Sequence, residues 1–253
     1  IGIILFFQLF FPTQPFEQVT NQNNSSKSDI LDPAASIDNK ISTTIDIVKP
    51  KEEVLTKSER VIIENSSLSG SINLTGAILD DLNLLDYQVS SDENSKNIEL
   101  LLPDETSNPY YIEFGWKEYN GNTIQIPDLN TKWESNGSKL TPSNPITLQW
   151  TNKSNITFLI NFSIDDNYMF SIKQEIINNS NANIEVYPYR LIKRINTPQT
   201  INFFILHEGL ISLLNDELLE KNYDDLEDDC TNALQVKDSY CDNKSTGGWL
   251  GFT

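Results

Sequence analysis

The sequence predicts an all-β protein: a large sandwich of antiparallel sheets with one short helix, preceded by the tail of a transmembrane helix. From about residue 59 onward, apolar and polar residues alternate with a period of two in short runs, and turn residues separate these runs. Segments with helical periodicity are scarce. Many short strands without intervening helices favour packed antiparallel sheets over a parallel nucleotide-binding sheet.

An apolar run opens the chain. Residues 1–11 hold Gln8 as their only strongly polar member, and the sequence begins with Ile1 rather than with methionine. A membrane-spanning helix needs about 20 apolar residues, so this run fits the end of a span whose beginning is missing. The core of a signal peptide and a buried strand are the alternatives, but no small-residue cleavage pattern follows at once. We therefore expect residues 1–11 to be the end of a truncated transmembrane helix.

A polar segment follows the apolar run. Residues 12–58 are rich in Asn, Ser, Asp, Gln and Lys, carry isolated prolines and show no sustained alternation. Such a composition buries too little apolar surface to fold alone, which predicts a disordered linker. Residues 59–253 then form the β-sandwich domain.

The clearest strand is predicted over residues 156–164, where every second residue is apolar. The turn sequence Asp165-Asp166-Asn167 and a second alternating run over residues 168–176 complete a hairpin. One short helix is predicted over residues 216–226. Further strands are predicted at residues 72–74, 77–85, 98–102, 110–116, 146–150 and 184–195.

The charge balance restricts the class of partner. The chain has 36 acidic and 18 basic residues, which gives a formal charge of −18. Such a surface repels phosphate backbones and anionic lipid headgroups. The composition therefore excludes nucleic acid as a partner.

The chain has two cysteines, Cys230 and Cys241. The ten residues between them match neither the short pairs of zinc sites nor a redox motif. In an oxidising compartment they could form a disulfide that stabilises the domain by about 3 kcal/mol. Two unrelated thiols are the alternative, and we favour the disulfide if the domain lies outside the cytoplasm.

His207 is the only histidine and stands beside Glu208. A histidine and a carboxylate could serve general acid–base chemistry, as in sugar epimerases on large β-sandwiches. However, adjacent residues of an extended strand point to opposite faces of the sheet. We therefore favour a histidine at a strand end that makes a local hydrogen bond.

Other candidate sites have equally ordinary interpretations. The acidic residues 224–229 offer oxygen ligands for calcium but lack the glycine and the spacing of a calcium loop, which favours a solvated turn. Trp116, Trp133 and Trp249 could stack on sugar or peptide, yet tryptophans of β-sandwiches more often cover the core or its edges. No motif of a hydrolase, metalloprotease or nucleotide-binding enzyme occurs. The sequence predicts no enzyme, no cofactor and no catalytic or metal-binding residue.

Several phrases in the chain are similar, in their order, to the YidC family of bacterial membrane protein insertases. They are SLSGSINLTGA at residues 67–77, LDDL at 79–82, FGW at 114–116, LTP at 140–142, LQW at 148–150, DDNYMF at 165–170, YPY at 187–189, FFILHEG at 203–209, YDDL at 223–226 and GGWLG at 247–251. Each phrase alone is weakly specific, but together they cover most of the chain.

The resemblance implies a first membrane helix, a polar linker and a periplasmic domain with the β-supersandwich fold of galactose mutarotase-like proteins. It implies the N-terminal part of an insertase and chaperone of the bacterial inner membrane, with residues 12–253 in the periplasm. The implied partners are nascent inner-membrane proteins, components of the Sec translocon and the lipid bilayer. In that family, later membrane helices form the groove that receives nascent segments, so the resemblance transfers no functional residue to this chain. The insertion that bears Cys230 and Cys241 departs from the family's pattern.

Two other hypotheses come from different classes of protein. The same fold suits an anchored or secreted carbohydrate-binding or aldose-epimerase-like protein, which would need a cleft where an acid and a base converge. A structural interaction module without catalysis is the third hypothesis.

Overall fold

The computed structural model of the chain describes residues 48–92, 94–119, 124–198, 207–226 and 247–252. Strands dominate these residues, and their pairing divides them among three sheets. The elements are α1 (Lys51–Leu55), β1 (Arg60–Glu64), β2 (Leu68–Asn73), β3 (Ile78–Gln88), β4 (Asn97–Leu101), β5 (Tyr110–Glu118), β6 (Glu134–Ser135), β7 (Lys139–Leu140), β8 (Ile146–Thr151), β9 (Ile156–Ile164), β10 (Phe170–Asn178), β11 (Val186–Arg194), β12 (Gly209–Leu214), β13 (Glu217–Asn222) and β14 (Gly248–Phe252).

Within the described residues, the larger sheet has the order β11-β5-β3-β2-β1-β7, and β4 also pairs with β3. The smaller sheet has the order β10-β9-β8-β6, and a three-stranded sheet has the order β13-β12-β14. The pairings are antiparallel except between β1 and β7, where Ile62 lies opposite Lys139 in parallel. Residues 134–140 pass from β6 in the smaller sheet to β7 in the larger one.

The hairpin of β9 and β10 confirms the strongest sequence prediction. Burial alternates along the whole of β9, from buried Ile156 to buried Ile164, because every second side chain faces the other sheet. Phe170 pairs with Ile164 and Asn178 with Ile156, so the register is set by the turn at residues 165–169.

The core lies between the larger and the smaller sheet. Phe158 and Phe162 of β9 have no exposed surface. Phe162 meets Phe114 of β5 edge to face with ring centroids 5.6 Å apart, and Phe158 meets Trp116 of β5 at 5.0 Å. These contacts between β9 and β5 make the two sheets a sandwich, so the predicted fold class is confirmed.

The sequence prediction is wrong at residues 216–226. Strand β13 occupies most of this segment, and residues 223–226 form only a short helical turn. Leu214 pairs with Glu217, and both residues between them, Asn215 and Asp216, have positive φ angles of 51° and 66°. Two consecutive residues with positive φ form the type I′ turn that closes a two-residue β-hairpin. The turn therefore starts a strand where we expected a helix.

The structure also differs from the expected linker over residues 48–58. Helix α1 lies in this segment, and Lys51 at its start forms an ion pair with Asp81 of β3. Residues 1–11 and the linker up to residue 47 lie outside the described residues, so these expectations stay predictions. Among the described residues, no helix has both the length and the apolar character needed to cross a membrane.

Gly70 lies where β2 approaches the backbone of β3 most closely. A β-carbon at this position would lie 2.1 Å from the Asp81 carbonyl oxygen and 3.0 Å from Leu82 Cα. Because both are backbone atoms, the β2–β3 pairing would have to open. We expect Gly70→Ala to lower the free energy of unfolding by about 1–3 kcal/mol, measured by urea denaturation.

The matched control for this substitution is Gly251→Ala. A β-carbon there meets no atom of the described residues within 4 Å. We expect Gly251→Ala to change the free energy of unfolding by no more than about 0.5 kcal/mol. Equal losses in the two variants would contradict the steric explanation.

Candidate functional site

His207 lies directly before β12 and is half-buried. Its Nε2 stands 2.9 Å from the Leu210 carbonyl oxygen. Because a carbonyl oxygen only accepts hydrogen bonds, Nε2 is the donor. His207 thus makes the local hydrogen bond that we predicted from the sequence in preference to acid–base chemistry with Glu208.

Two of the three tryptophans considered as binding residues belong to the core. Trp116 and Trp133 are 3% and 4% exposed, and their rings stack with centroids 6.1 Å apart. Trp249, on β14, is half exposed. The core interpretation therefore holds for Trp116 and Trp133, and neither is available to a ligand.

The other predicted sites lie partly or wholly outside the described residues. Residues 227–229 of the acidic stretch do so, as do Cys230 and Cys241, whose disulfide stays a prediction. Within the described part of the chain, no group of three or more His, Cys, Asp or Glu residues is arranged to hold a metal ion.

The larger sheet carries a buried polar network that Lys51, at the start of α1, joins from outside the sheet. Arg60 of β1 forms an ion pair with Asp80 of β3, and both side chains are less than 10% exposed. Lys51 Nζ lies 2.9 Å from Asp81 Oδ1. The Ser71 hydroxyl links the two pairs, since it accepts from Arg60 Nε at 2.8 Å and donates to Asp81 Oδ2 at 2.6 Å.

A β-bulge explains why two consecutive aspartates are both buried. Ser71 lies opposite Asp81 while the next residue of β2, Ile72, lies opposite Leu79, so Asp80 is an extra residue in β3. Burial raises the pKa of the Asp80 carboxyl, although the neighbouring Arg60 opposes that change. The network pairs two cations with two carboxylates, which fits a structural role in fixing α1 on the sheet.

Sequence reasoning did not identify this network. Its signal was the pair Asp80-Asp81 inside the apolar run of residues 77–85, where strict alternation would place one of the two on the core side. Two consecutive acidic residues inside an apolar run indicate a β-bulge, and their carboxylates need cationic partners if both are buried.

A second group of titratable side chains lies along β5 and β11. Glu113 is 6% exposed, and Lys193 places its Nζ 5.5 Å from the centroid of the Tyr111 ring. The Tyr189 ring covers Gly115, whose β-carbon would lie 2.6 Å from that ring. Burial raises the pKa of Glu113, and the charge of Lys193 opposes this shift only in part.

The raised pKa makes the stability of the domain depend on pH. A carboxyl whose pKa is higher in the folded than in the unfolded state stabilises the fold below its unfolded pKa, and this contribution is lost as pH rises through the folded pKa. We therefore expect Glu113→Gln to change the free energy of unfolding more favourably at pH 8 than at pH 4, because the ionised carboxylate destabilises the fold only at the higher pH. Urea denaturation at both pH values measures it. The exposed Glu118→Gln is the control, and an equal pH response in the two variants would contradict the prediction.

An open groove of about 520 Å³ lies where the ends of β5, β10 and β11 meet. Its lining is mostly apolar and includes Tyr119 and Tyr187, whose rings meet edge to face with centroids 5.1 Å apart. Glu185 and Asn178 supply the polar groups. This lining can pack against an extended apolar segment and bond its backbone, but it does not bring an acid and a base together.

The model of the YidC periplasmic domain family matches residues 60–253. The chain is 41% identical over 207 residues to a membrane protein insertase YidC of Bradyrhizobium diazoefficiens. The aligned residues make up 81% of this chain and 32% of that protein. The insertase YidC of Pelagibacter ubique is 37% identical over 228 residues, with 90% and 40% covered.

A third relative, the membrane protein insertase YidC of Sinorhizobium medicae, is 40% identical over 205 residues. The chain spans between about a third and two fifths of the length of these relatives. The family resemblance that the sequence phrases carried is confirmed, and the match covers every strand described above. This chain belongs to the YidC periplasmic domain family.

Proposed function

We propose that the chain is the N-terminal part of a membrane protein insertase and chaperone that assists the insertion and folding of inner-membrane proteins, alone or with the Sec translocon. The observation that carries this proposal is the family match over residues 60–253, together with relatives of about 40% identity that are named membrane protein insertases. Residues 60–253 supply the periplasmic domain of this insertase. Its role is not enzymatic.

In this proposal, residues 1–11 lie in the inner membrane and residues 12–253 in the periplasm. The partners are nascent inner-membrane proteins, components of the Sec translocon and the bilayer around the N-terminal helix. Insertion needs help because each unsatisfied backbone group costs several kcal/mol in the hydrocarbon core. The open apolar groove at Tyr119 and Tyr187 supports an interaction role, because it offers contact surface without a converging acid and base.

The test uses the full-length protein that contains this chain, expressed in cells depleted of their own insertase. We expect it to restore the insertion of a reporter inner-membrane protein, measured by protease protection of the reporter. A folded, membrane-located full-length protein that restores nothing would refute the proposal. Mutarotase turnover by the full chain that His207→Ala abolishes would favour the aldose-epimerase hypothesis instead.

The location is tested separately. In spheroplasts, external protease should digest residues 12–253 together with a periplasmic control and leave a cytoplasmic control intact. Digestion only after lysis would place the domain on the wrong side of the membrane.

The disulfide follows from the proposed location. The protein is isolated from cells and denatured before alkylation. The reagent should label Cys230 and Cys241 only after reduction, because the periplasm is oxidising. Two thiols that react without a reductant would exclude the bond.

A further inference from the structure

An apolar patch is exposed at the end of the sandwich where β3 leaves the sheet and β9 turns into β10. Tyr87 lies near the end of β3, Val89 directly follows that strand, and they are 52% and 72% exposed. Tyr168 and Met169 come from the turn and are 40% and 69% exposed. The rings of Tyr87 and Tyr168 lie 6.0 Å apart between centroids. We call these four side chains the tyrosine patch.

The tyrosine patch is held in a fixed arrangement by polar contacts beneath it. The Tyr168 hydroxyl donates a hydrogen bond to the Asp86 carboxylate. Asn65 Nδ2 donates to the carbonyl oxygens of Asp165 and Asn167, each at 2.8 Å. The Ser66 hydroxyl donates to the Asp166 carbonyl oxygen at 2.7 Å. These bonds join the turn to the β1–β2 connection, so the segment that carries Tyr168 and Met169 is held in place before any partner arrives.

Preorganised aromatic side chains are the kind that binding surfaces use. Tyrosine supplies a large apolar area with few rotatable bonds, and methionine adapts its shape to a partner. A surface that is already ordered loses little conformational entropy when it binds. Tyr87, Val89 and Met169 are each more than half exposed, so their side chains are accessible to a partner.

The charges around the tyrosine patch indicate the charge of a partner that could bind it. Asp86 accepts a hydrogen bond from Tyr168, Asp165 and Asp166 belong to the same turn as Tyr168, and Asp92 lies in the middle of the β3–β4 connection. Lys96 is the basic residue of that connection. The excess of carboxylates repels anionic lipid and nucleic acid, whereas it attracts lysine and arginine side chains.

We propose that the tyrosine patch docks a basic, apolar polypeptide segment of a partner protein. The apolar side chains of the segment cover Tyr87, Val89 and Met169, and its cationic side chains pair with the carboxylates of Asp165 and Asp166. Apolar contact supplies the affinity, and the carboxylates select against acidic segments. This inference does not depend on the proposed function.

The probe is a synthetic peptide in which leucine and lysine alternate, and its affinity for the full chain is measured by fluorescence anisotropy. We expect Tyr87→Ser combined with Met169→Ser to weaken binding by about tenfold or more, because the apolar contact is lost. Asp166→Asn should weaken binding by about threefold and make it less sensitive to salt. A peptide with glutamate in place of lysine should bind at least tenfold more weakly than the lysine peptide.

The matched control is Leu218→Ser, since Leu218 is 63% exposed, lies on β13 and belongs neither to the tyrosine patch nor to the groove at Tyr119 and Tyr187. It should leave the affinity within about twofold, and the melting temperatures of all variants should agree, because the replaced side chains are exposed. An equal loss in the control and the patch variant would mean nonspecific adhesion to an acidic protein and would overturn the proposal. Self-association or binding to zwitterionic vesicles that the patch variant abolishes would overturn it in favour of those occupants.

Discussion

Replacing Phe158 by alanine is expected to lower the free energy of unfolding by about 3–5 kcal/mol, because the site is buried in the middle of the sandwich. Phe158 has no exposed surface and contacts Trp116 and Trp150, with ring centroids 5.0 Å and 5.8 Å away. Its removal leaves a cavity between the two sheets that rigid indole rings cannot fill. Urea denaturation followed by tryptophan fluorescence measures the loss.

Ile177→Ala is the control for this substitution. Ile177 lies on β10, which pairs with β9, but its side chain is 48% exposed. We expect a loss of less than about 1 kcal/mol, because little apolar surface leaves the core. If Phe158→Ala were no more destabilising than Ile177→Ala, the assignment of the core to the space between β9 and β5 would be wrong.

Replacing Arg60 by methionine is expected to lower the free energy of unfolding at pH 7 by about 3–5 kcal/mol. The substitution keeps much of the apolar length of the side chain but leaves the Asp80 carboxylate buried without its cation. It also removes the donors to the Ser71 hydroxyl and carbonyl oxygen. Chemical denaturation at several pH values measures the effect.

The pH dependence of this variant has a definite sign. Burial already raises the pKa of Asp80 in the folded state, and loss of Arg60 raises it further. The destabilisation therefore shrinks as pH falls through the folded pKa of Asp80, because a protonated carboxyl costs less to bury. A loss that is the same at pH 4 and pH 7 would contradict the role assigned to Arg60.

Lys139→Met is the matched control, since it also removes one cation from an ion pair on β1. Lys139 lies 2.7 Å from Glu64, but both side chains are more than half exposed. Water already screens this pair, so we expect a loss below about 1 kcal/mol. Comparable losses in the Arg60 and Lys139 variants would show that the cost of removing the cation does not depend on the burial of its ion pair.

The β-sandwich could be predicted because the alternation of apolar and polar residues within each strand determines which side chains face the core. Along β9 and its partner β8, alternation in the sequence becomes alternation in burial, with Ile146, Leu148, Ile156 and Ile160 on the core side. The turn at Asp165 adds a local signal that needs no knowledge of the rest of the chain. Fold class and the central hairpin therefore follow from residues that are close in sequence.

The buried polar network could not be predicted because its partners are distant in sequence. Lys51 and Arg60 reach Asp81 and Asp80 only after β1, β2 and β3 have paired. No sequence motif marks the β-bulge that orients both aspartates toward the network. Similarly, the tyrosine patch joins Tyr87 of β3 to Tyr168 of the turn between β9 and β10, so no single segment shows it.

The connection at residues 134–140 has a consequence for how the protein loses its structure. It is paired to β8 at one end and to β1 at the other, so one short segment is hydrogen-bonded into both layers. We therefore expect the two layers to melt in a single cooperative transition, as one folding unit does. Amide protons of β1 and β8 should then exchange with solvent through openings that both layers share.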